Sequence, residues 1–210
     1  MDKLMKSQIK NVVFDMGNVL LDFSIDKVLS EHFPEKNDRA LIRNIVFESG
    51  EWNRLDAGEF EEAEALERWL VRTPQHLREA LRNCFAEWHT TLTPIEGMAE
   101  LIAELKQKGY GCYLLSNTSV RFDTYWKDFE ALRLLNGRFI SAHYKQMKPD
   151  VAIYQKMCEV FSLRPWECLF VDDRRENVEG AIKAGMRSVW FETYDVVALR
   201  QKMRAEGIDL

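Results

Sequence analysis

Three aspartates, a lysine and a serine stand where they could share one chemical task. Asp15 follows the apolar run 11–14, Ser116 and Asn117 end the run 111–115, and Asp172 and Asp173 end the run 167–171, with Lys148 just before Pro149. An aspartate leaving a buried strand is costly to enclose unless a charge answers it, which makes Asp15 a candidate nucleophile or ligand. Taken alone it serves equally well as the cap of a following helix, Ser116 alone reads rather as such a cap, and Lys148 reads as a solvated loop lysine. The adjacent carboxylates of Asp172 and Asp173 are harder to explain this way. They repel each other unless a cation or hydrogen bonds relieve them. A divalent metal is the economical answer, and Mg²⁺ prefers such hard oxygen ligands. Together the residues offer a nucleophilic carboxylate, a hydroxyl donor, a cation and a metal site.

To bring these groups together, the strands must end side by side. The sequence predicts strands over 11–15, 111–116, 138–142, 167–171 and 188–191. Helices alternate with them over 95–108, 119–135, 151–161, 177–184 and 195–206. Such alternation implies a parallel sheet with right-handed crossovers, and a parallel sheet carries its site at the carboxyl ends of its strands. Asp15, Ser116 and Asp172–Asp173 are all at strand exits. Between residues 22 and 94 the pattern changes. Helical periodicity over 27–33, 39–47, 60–71 and 77–88 is broken by Pro34, Gly50, Gly58 and Pro74, with a short helical turn between the two glycines and no strand. The expected organisation is an α/β core of residues 1–22 and 95–210 carrying a small helical insertion, 23–94.

At 210 residues with 46% hydrophobic side chains, the chain can bury a sizeable core. Its formal charge of −5 argues against nucleic acid as a main partner. No apolar run approaches the roughly 20 residues of a membrane span, and the polar start followed by an early Asp15 does not suit a signal peptide. The four cysteines, Cys84, Cys112, Cys158 and Cys168, are scattered without metal-ligand spacing and read as reduced core thiols of a cytoplasmic protein. The four histidines show no ligand spacing either.

The ordered set Phe14-Asp15-Met16-Gly17-Asn18-Val19, Leu115-Ser116-Asn117, Lys148-Pro149 and Val171-Asp172-Asp173 with Asn177 resembles the four motifs of the haloacid dehalogenase superfamily. The likeness spans nearly the whole chain, because the 23–94 insertion falls where that family carries a helical cap. It implies a Rossmann-like three-layer α/β core and a Mg²⁺-dependent phosphatase of small phosphate esters. Asp15 would be the nucleophile, forming an aspartyl-phosphate that water hydrolyses. Asp15, the Gly17 carbonyl and Asp173 would bind Mg²⁺, with Asp172 helping to bind or position it. Ser116 and the Asn117 backbone N–H would hold phosphoryl oxygens, and Lys148 would neutralise charge. Positioning and charge stabilisation are most of what phosphoryl transfer requires.

One departure matters. Most phosphatases of the superfamily carry a second aspartate two residues after the nucleophile as general acid and base, and here that residue is Gly17. The turn, the double aspartate and the run Asn177-Val178-Glu179-Gly180-Ala181 resemble the branch that contains an α-D-glucose-1-phosphate phosphatase; sugar phosphates, such as a sugar 1-phosphate, are one class of small ester the enzyme could take, but the likeness does not itself assign the substrate. Without a stand-in acid the enzyme should favour anomeric or aryl phosphates, whose leaving groups need less protonation. Asp22 is the next carboxylate along the chain. The alternatives are a 2-haloacid dehalogenase, which lacks the second aspartate but has no use for the acidic pair, and a non-catalytic binding protein. Within the insertion, Glu51, Trp52, Arg54 and Asp56 form the expected substrate reader, with Trp52 and Arg54 as the main contacts; the same residues also suit the surface and core of helices.

Overall fold

The computed structural model describes residues 8–210; the expected core segment begins earlier, and its first seven residues are outside the described residues. Strand β1 (Asn11–Phe14) pairs in parallel with β4 (Gly111–Ser116) on one side and with β6 (Cys168–Asp172) on the other. Beyond them lie β5 (Gly137–Ile140) and β7 (Arg187–Trp190), giving the order β5-β4-β1-β6-β7 with every pairing parallel. The chain therefore winds outward from β1 in both directions, and the strand order reverses there, where parallel sheets place their sites.

The alternation of β1 sorts its side chains between two faces. Val12 and Phe14 join one buried cluster with Leu114, Leu169, Val171 and the apolar stripes of helices α6 (Met98–Gln107) and α12 (Val196–Ala205). Val13 joins a second cluster with Leu115, Phe139, Phe170 and α10 (Val151–Phe161), where Ile153, Tyr154 and Met157 are fully buried, and α11 (Arg175–Lys183) adds Ala181. A sheet covered by helices on both faces explains why its strands read as continuous apolar runs. Cys84, Cys112, Cys158 and Cys168 are buried core residues. Among the described residues no helix is long and apolar enough to cross a membrane.

Between β2 (Leu21–Asp22) and β3 (Thr93–Pro94) runs a bundle of helices, α1 (Ile25–His32), α2 (Lys36–Val46), α3 (Glu51–Asp56), α4 (Glu62–Arg72) and α5 (Arg78–Glu87). They bury Ile42, Leu55, Ala65, Trp69, Leu81 and Phe85. β2 and β3 pair antiparallel, Leu21 with Pro94 and Asp22 with Thr93, so the bundle leaves and rejoins the sheet through one narrow ribbon. These two-residue strands were not expected from the sequence, because they are too short to show a period. A second difference concerns 138–142, where the strand ends at Ile140. Ser141–Tyr144 turns into a short helix, α9, and α7 (Phe122–Tyr125) and α8 (Glu130–Leu134) divide the expected 119–135 helix. The Ser141 hydroxyl is used elsewhere, as described below.

Candidate active site

The register of the sheet aligns the strand ends. Phe14 is opposite Leu114 and Val171, so the next residue, Asp15, reaches the level of the β4 and β6 exits, and its N–H donates to the Val171 carbonyl at 2.9 Å. Lys148 Nζ lies 2.7 Å from Asp15 Oδ1 and 2.8 Å from Asp172 Oδ2, and its side chain is only 1% exposed. A buried ammonium is costly without such partners, and here two carboxylates share it. Although burial opposes its charge, Asp15 and Asp172 hold the Lys148 pKa above the ordinary lysine range. Burial pushes the Asp15 carboxyl up to about 7 against the attraction of Lys148, with Asp172 and Asp173 adding to the rise. Desolvation raises Asp173 as well, and Asp172 contributes to the rise. Ligand atoms of Asp15, Asp172 and Asp173 all lie within 4.8 Å of one another, an all-oxygen donor set suited to a hard divalent cation.

Asp172 is fully buried and held by protein donors. It accepts from the Arg174 backbone N–H at 2.8 Å and from Asn177 Nδ2 at 3.0 and 3.1 Å, besides Lys148. Asp173 instead takes a long contact from Asn18 Nδ2, 3.4 Å, and borders the cavity. Asn117 fixes Lys148 through its backbone. Asn117 Nδ2 donates to the Lys148 carbonyl at 2.9 Å, and the Lys148 N–H donates to Asn117 Oδ1 at 2.9 Å. This reciprocal pair holds the lysine loop against the end of β4, a function that the short sequence motif did not reveal. Ser116 is buried at the same strand end.

These groups border a cavity of about 210 Å³. Its floor contains Asp15, Gly17, Asn18, Ser116, Asn117, Lys148, Asp173, Arg174 and Asn177, and Phe23, Trp52, Trp88, Leu92 and Asp56 form its wall. Trp52 and Trp88 meet edge to face at 5.5 Å, and Phe23 meets Trp88 at 5.7 Å, so the wall is aromatic. Arg54 is not part of this lining. Its guanidinium pairs with Glu59 at 2.6 Å and stacks over Phe60. Glu51 is likewise turned to Arg68 and Arg72. Asp22 is exposed on β2 and does not border the cavity. Trp88 and Phe23 went unread at the site because their place depends on how the bundle folds back over the sheet, whereas Arg174 reaches the cavity from the loop that follows the acidic pair at the end of β6.

A match to the haloacid dehalogenase-like hydrolase family covers residues 9–185. The chain belongs to that family. This hydrolase is 27% identical over 84% of its length to a sesquiterpene phosphatase of Aspergillus oryzae, spanning 87% of that protein. It is 25% identical over 70% of its length to a flavin mononucleotide hydrolase of Arabidopsis thaliana, but spans only 59% of that longer protein. Among solved structures, a dehalogenase superposes with a TM-score of 0.68 at 22% identity, covering 90% of each chain. A family enzyme of Bacteroides thetaiotaomicron in complex with magnesium and inorganic phosphate superposes with a TM-score of 0.66 at 21% identity, covering 87% of this chain and 93% of the other. At these identities the structural likeness establishes the fold, the Rossmann-like α/β arrangement expected from the sequence.

Proposed function

We propose that this hydrolase is a Mg²⁺-dependent phosphatase of small phosphorylated metabolites, sugar phosphates among them, acting through an aspartyl-phosphate on Asp15. The observation that carries the reading is the contact of Lys148 with Asp15 inside a cluster of three carboxylates at the strand ends. Such a cluster repels an anionic substrate until a cation joins it. Asp15, Asp173 and the Gly17 carbonyl would hold Mg²⁺, with Asp172 positioning it while anchoring Lys148. When bound, Mg²⁺ would neutralise charge on the carboxylates and on phosphoryl oxygens. Asp15 attacks phosphorus and displaces the leaving oxygen, while the Ser116 hydroxyl and Asn117 N–H hold phosphoryl oxygens and Lys148 offsets the accumulating charge. Residues 23–94 act as a cap domain over a core of 1–22 and 95–210, and Trp52 reads the leaving group. The family relatives named as phosphatase and flavin mononucleotide hydrolase, and the magnesium–phosphate complex of a structural neighbour, are consistent with this chemistry.

The test is phosphate release from a panel of phosphorylated metabolites, with Mg²⁺ or with chelator. Release that requires Mg²⁺ and disappears in Asp15→Asn is the expected outcome. Halide release from 2-haloacids with no phosphate release would favour the dehalogenase reading, which the missing acid at Gly17 and the dehalogenase-like fold otherwise suggest. Inactivity on both classes, with ligand binding retained, would favour a binding protein.

A further inference from the structure

Gly17 leaves a gap as well as a missing acid. A Cβ built there meets nothing within 4 Å, so the position opens into the cavity. A departing alkoxide still needs a proton, and three acidic residues line that cavity: Asp15, Asp173 and Asp56. Asp15 is the attacking group and Asp173 belongs to the acidic cluster. We propose, on the strength of the aspartyl-phosphate reading, that Asp56 is the general acid and base of this hydrolase, supplied to the site by the helical insertion.

The structure fixes Asp56 from the core side. It ends α3, and its carbonyl accepts from the Ser141 hydroxyl at 2.5 Å. The same hydroxyl oxygen accepts from the Thr118 N–H at 2.9 Å, one residue beyond Asn117. Gly58 follows with φ of +69°, and a Cβ there would lie 2.3 Å from the Ala142 carbonyl oxygen. The α3 terminus is thus packed directly on the loops that follow β4 and β5. The carboxyl itself has two hydrogen-bonding neighbours, the Trp52 side chain and the Ser119 backbone N–H. Burial raises its pKa well above the ordinary carboxylate range, and nearby Glu62 adds to the rise. Glu62 is answered by Arg121 at 2.6 Å, and Tyr125 is the other titratable group that interacts with Asp56. Asp56 therefore keeps its proton to higher pH than an ordinary aspartic acid, as a general acid requires.

In the first step an Asp15 oxygen bonds to phosphorus, the bond from phosphorus to the leaving oxygen breaks, and the Asp56 proton passes to that oxygen. The products are the free alcohol, the aspartyl-phosphate and an ionised Asp56. In the second step Asp56 takes a proton from water as the water oxygen bonds to phosphorus. The acyl–phosphate bond breaks, releasing inorganic phosphate and restoring both Asp15 and protonated Asp56.

The experiment compares wild type, Asp56→Asn and Asp15→Asn with Mg²⁺ on phosphate esters of graded leaving-group pKa, using rapid-quench kinetics. Wild type should depend weakly on leaving-group pKa. Asp56→Asn should lose about 10²–10⁴-fold on alkyl phosphates, the usual worth of general acid catalysis. On 2,4-dinitrophenyl phosphate it should still give a burst of one phenol per enzyme followed by slow turnover, because the base for the second step is gone. Equal losses on every ester, or no loss, would overturn the proposal and leave Asp56 a structural or substrate-orienting residue. If Asp56→Asn does not fold, the wild-type series decides: a steep dependence with chemistry rate-limiting rules out an effective acid. Turnover retained by Asp15→Asn would instead sink the aspartyl-phosphate reading, a separate result.

Discussion

Lys148 answers two buried carboxylates at once, and its removal tests both stability and chemistry. Lys148→Met keeps most of the side-chain volume but leaves Asp15 and Asp172 without their shared cation. Breaking a buried ion pair on one side costs roughly 3–5 kcal/mol when the remaining charge stays ionised. Asp15, whose carboxyl burial already pushes up to about 7, can escape part of that cost by taking up a proton. Its folded pKa then rises further above the unfolded value, so the stability associated with it is present at low pH and lost as pH rises. Urea unfolding in chelator should therefore show a larger loss at pH 8 than at pH 5, with phosphatase turnover abolished at both. An equal loss at the two pH values would mean that packing rather than charge is what Lys148 supplies. Asn117 makes a milder test of the same group. Asn117→Ala removes the two hydrogen bonds to the Lys148 backbone while leaving its own N–H in place, so kcat should fall by about tenfold or more while Mg²⁺ dependence survives.

At the scale of elements, the contact between α3 and α9 joins the insertion to the strand ends. Gly58→Ala would force a Cβ against the Ala142 carbonyl in a left-handed backbone, so a loss of about 1–3 kcal/mol in unfolding free energy is expected. Turnover should fall further than this stability loss explains, because Asp56 would shift with α3; unchanged kcat in the folded variant would show that the contact does not position the site. This contact also marks how far the sequence could be read. Strand 111–116 and helix 151–161 were legible to the residue, since apolar runs and a clear helical period specify them without help from elsewhere. Asp15, Ser116 and Asp172 were legible as a group because strand exits in a parallel sheet converge, whereas Lys148, in the loop before α10, was marked only by its place in the motif order. Asp56 was visible only as part of an acidic and aromatic patch, for its place at the cavity depends on Gly58 fitting against Ala142. Arg54 looked equal to Trp52 in that patch. Two residues apart on a short helix they point about 200° apart, which turns Arg54 to Glu59 and leaves Trp52 at the cavity.

Over the whole molecule, a charged floor built from strand ends faces an aromatic wall carried mainly by the helical bundle, and the two are tied by a partly buried pair of Glu62 with Arg121. On the phosphatase reading the floor would treat all phosphate esters alike, since it would meet the phosphoryl group they share. Discrimination must then come from the wall, where Trp52 also stacks on Trp69 at 6.1 Å and so offers a rigid face. An aromatic face contributes about 0.5–1.5 kcal/mol to a ring stacked on it, beyond area burial. Trp52→Ala should therefore lower kcat/KM for ring-bearing alkyl phosphates by several-fold to about tenfold relative to a small alkyl ester such as ethyl phosphate. Arg54→Ala should leave that ratio unchanged, because its guanidinium is engaged with Glu59 and Phe60 outside the cavity. Measuring both variants against both substrates separates recognition from folding. A loss of equal size on the two substrates in Trp52→Ala would assign Trp52 to the packing of the bundle. A changed ratio in Arg54→Ala would mean that the bundle moves during turnover and carries Arg54 to the substrate.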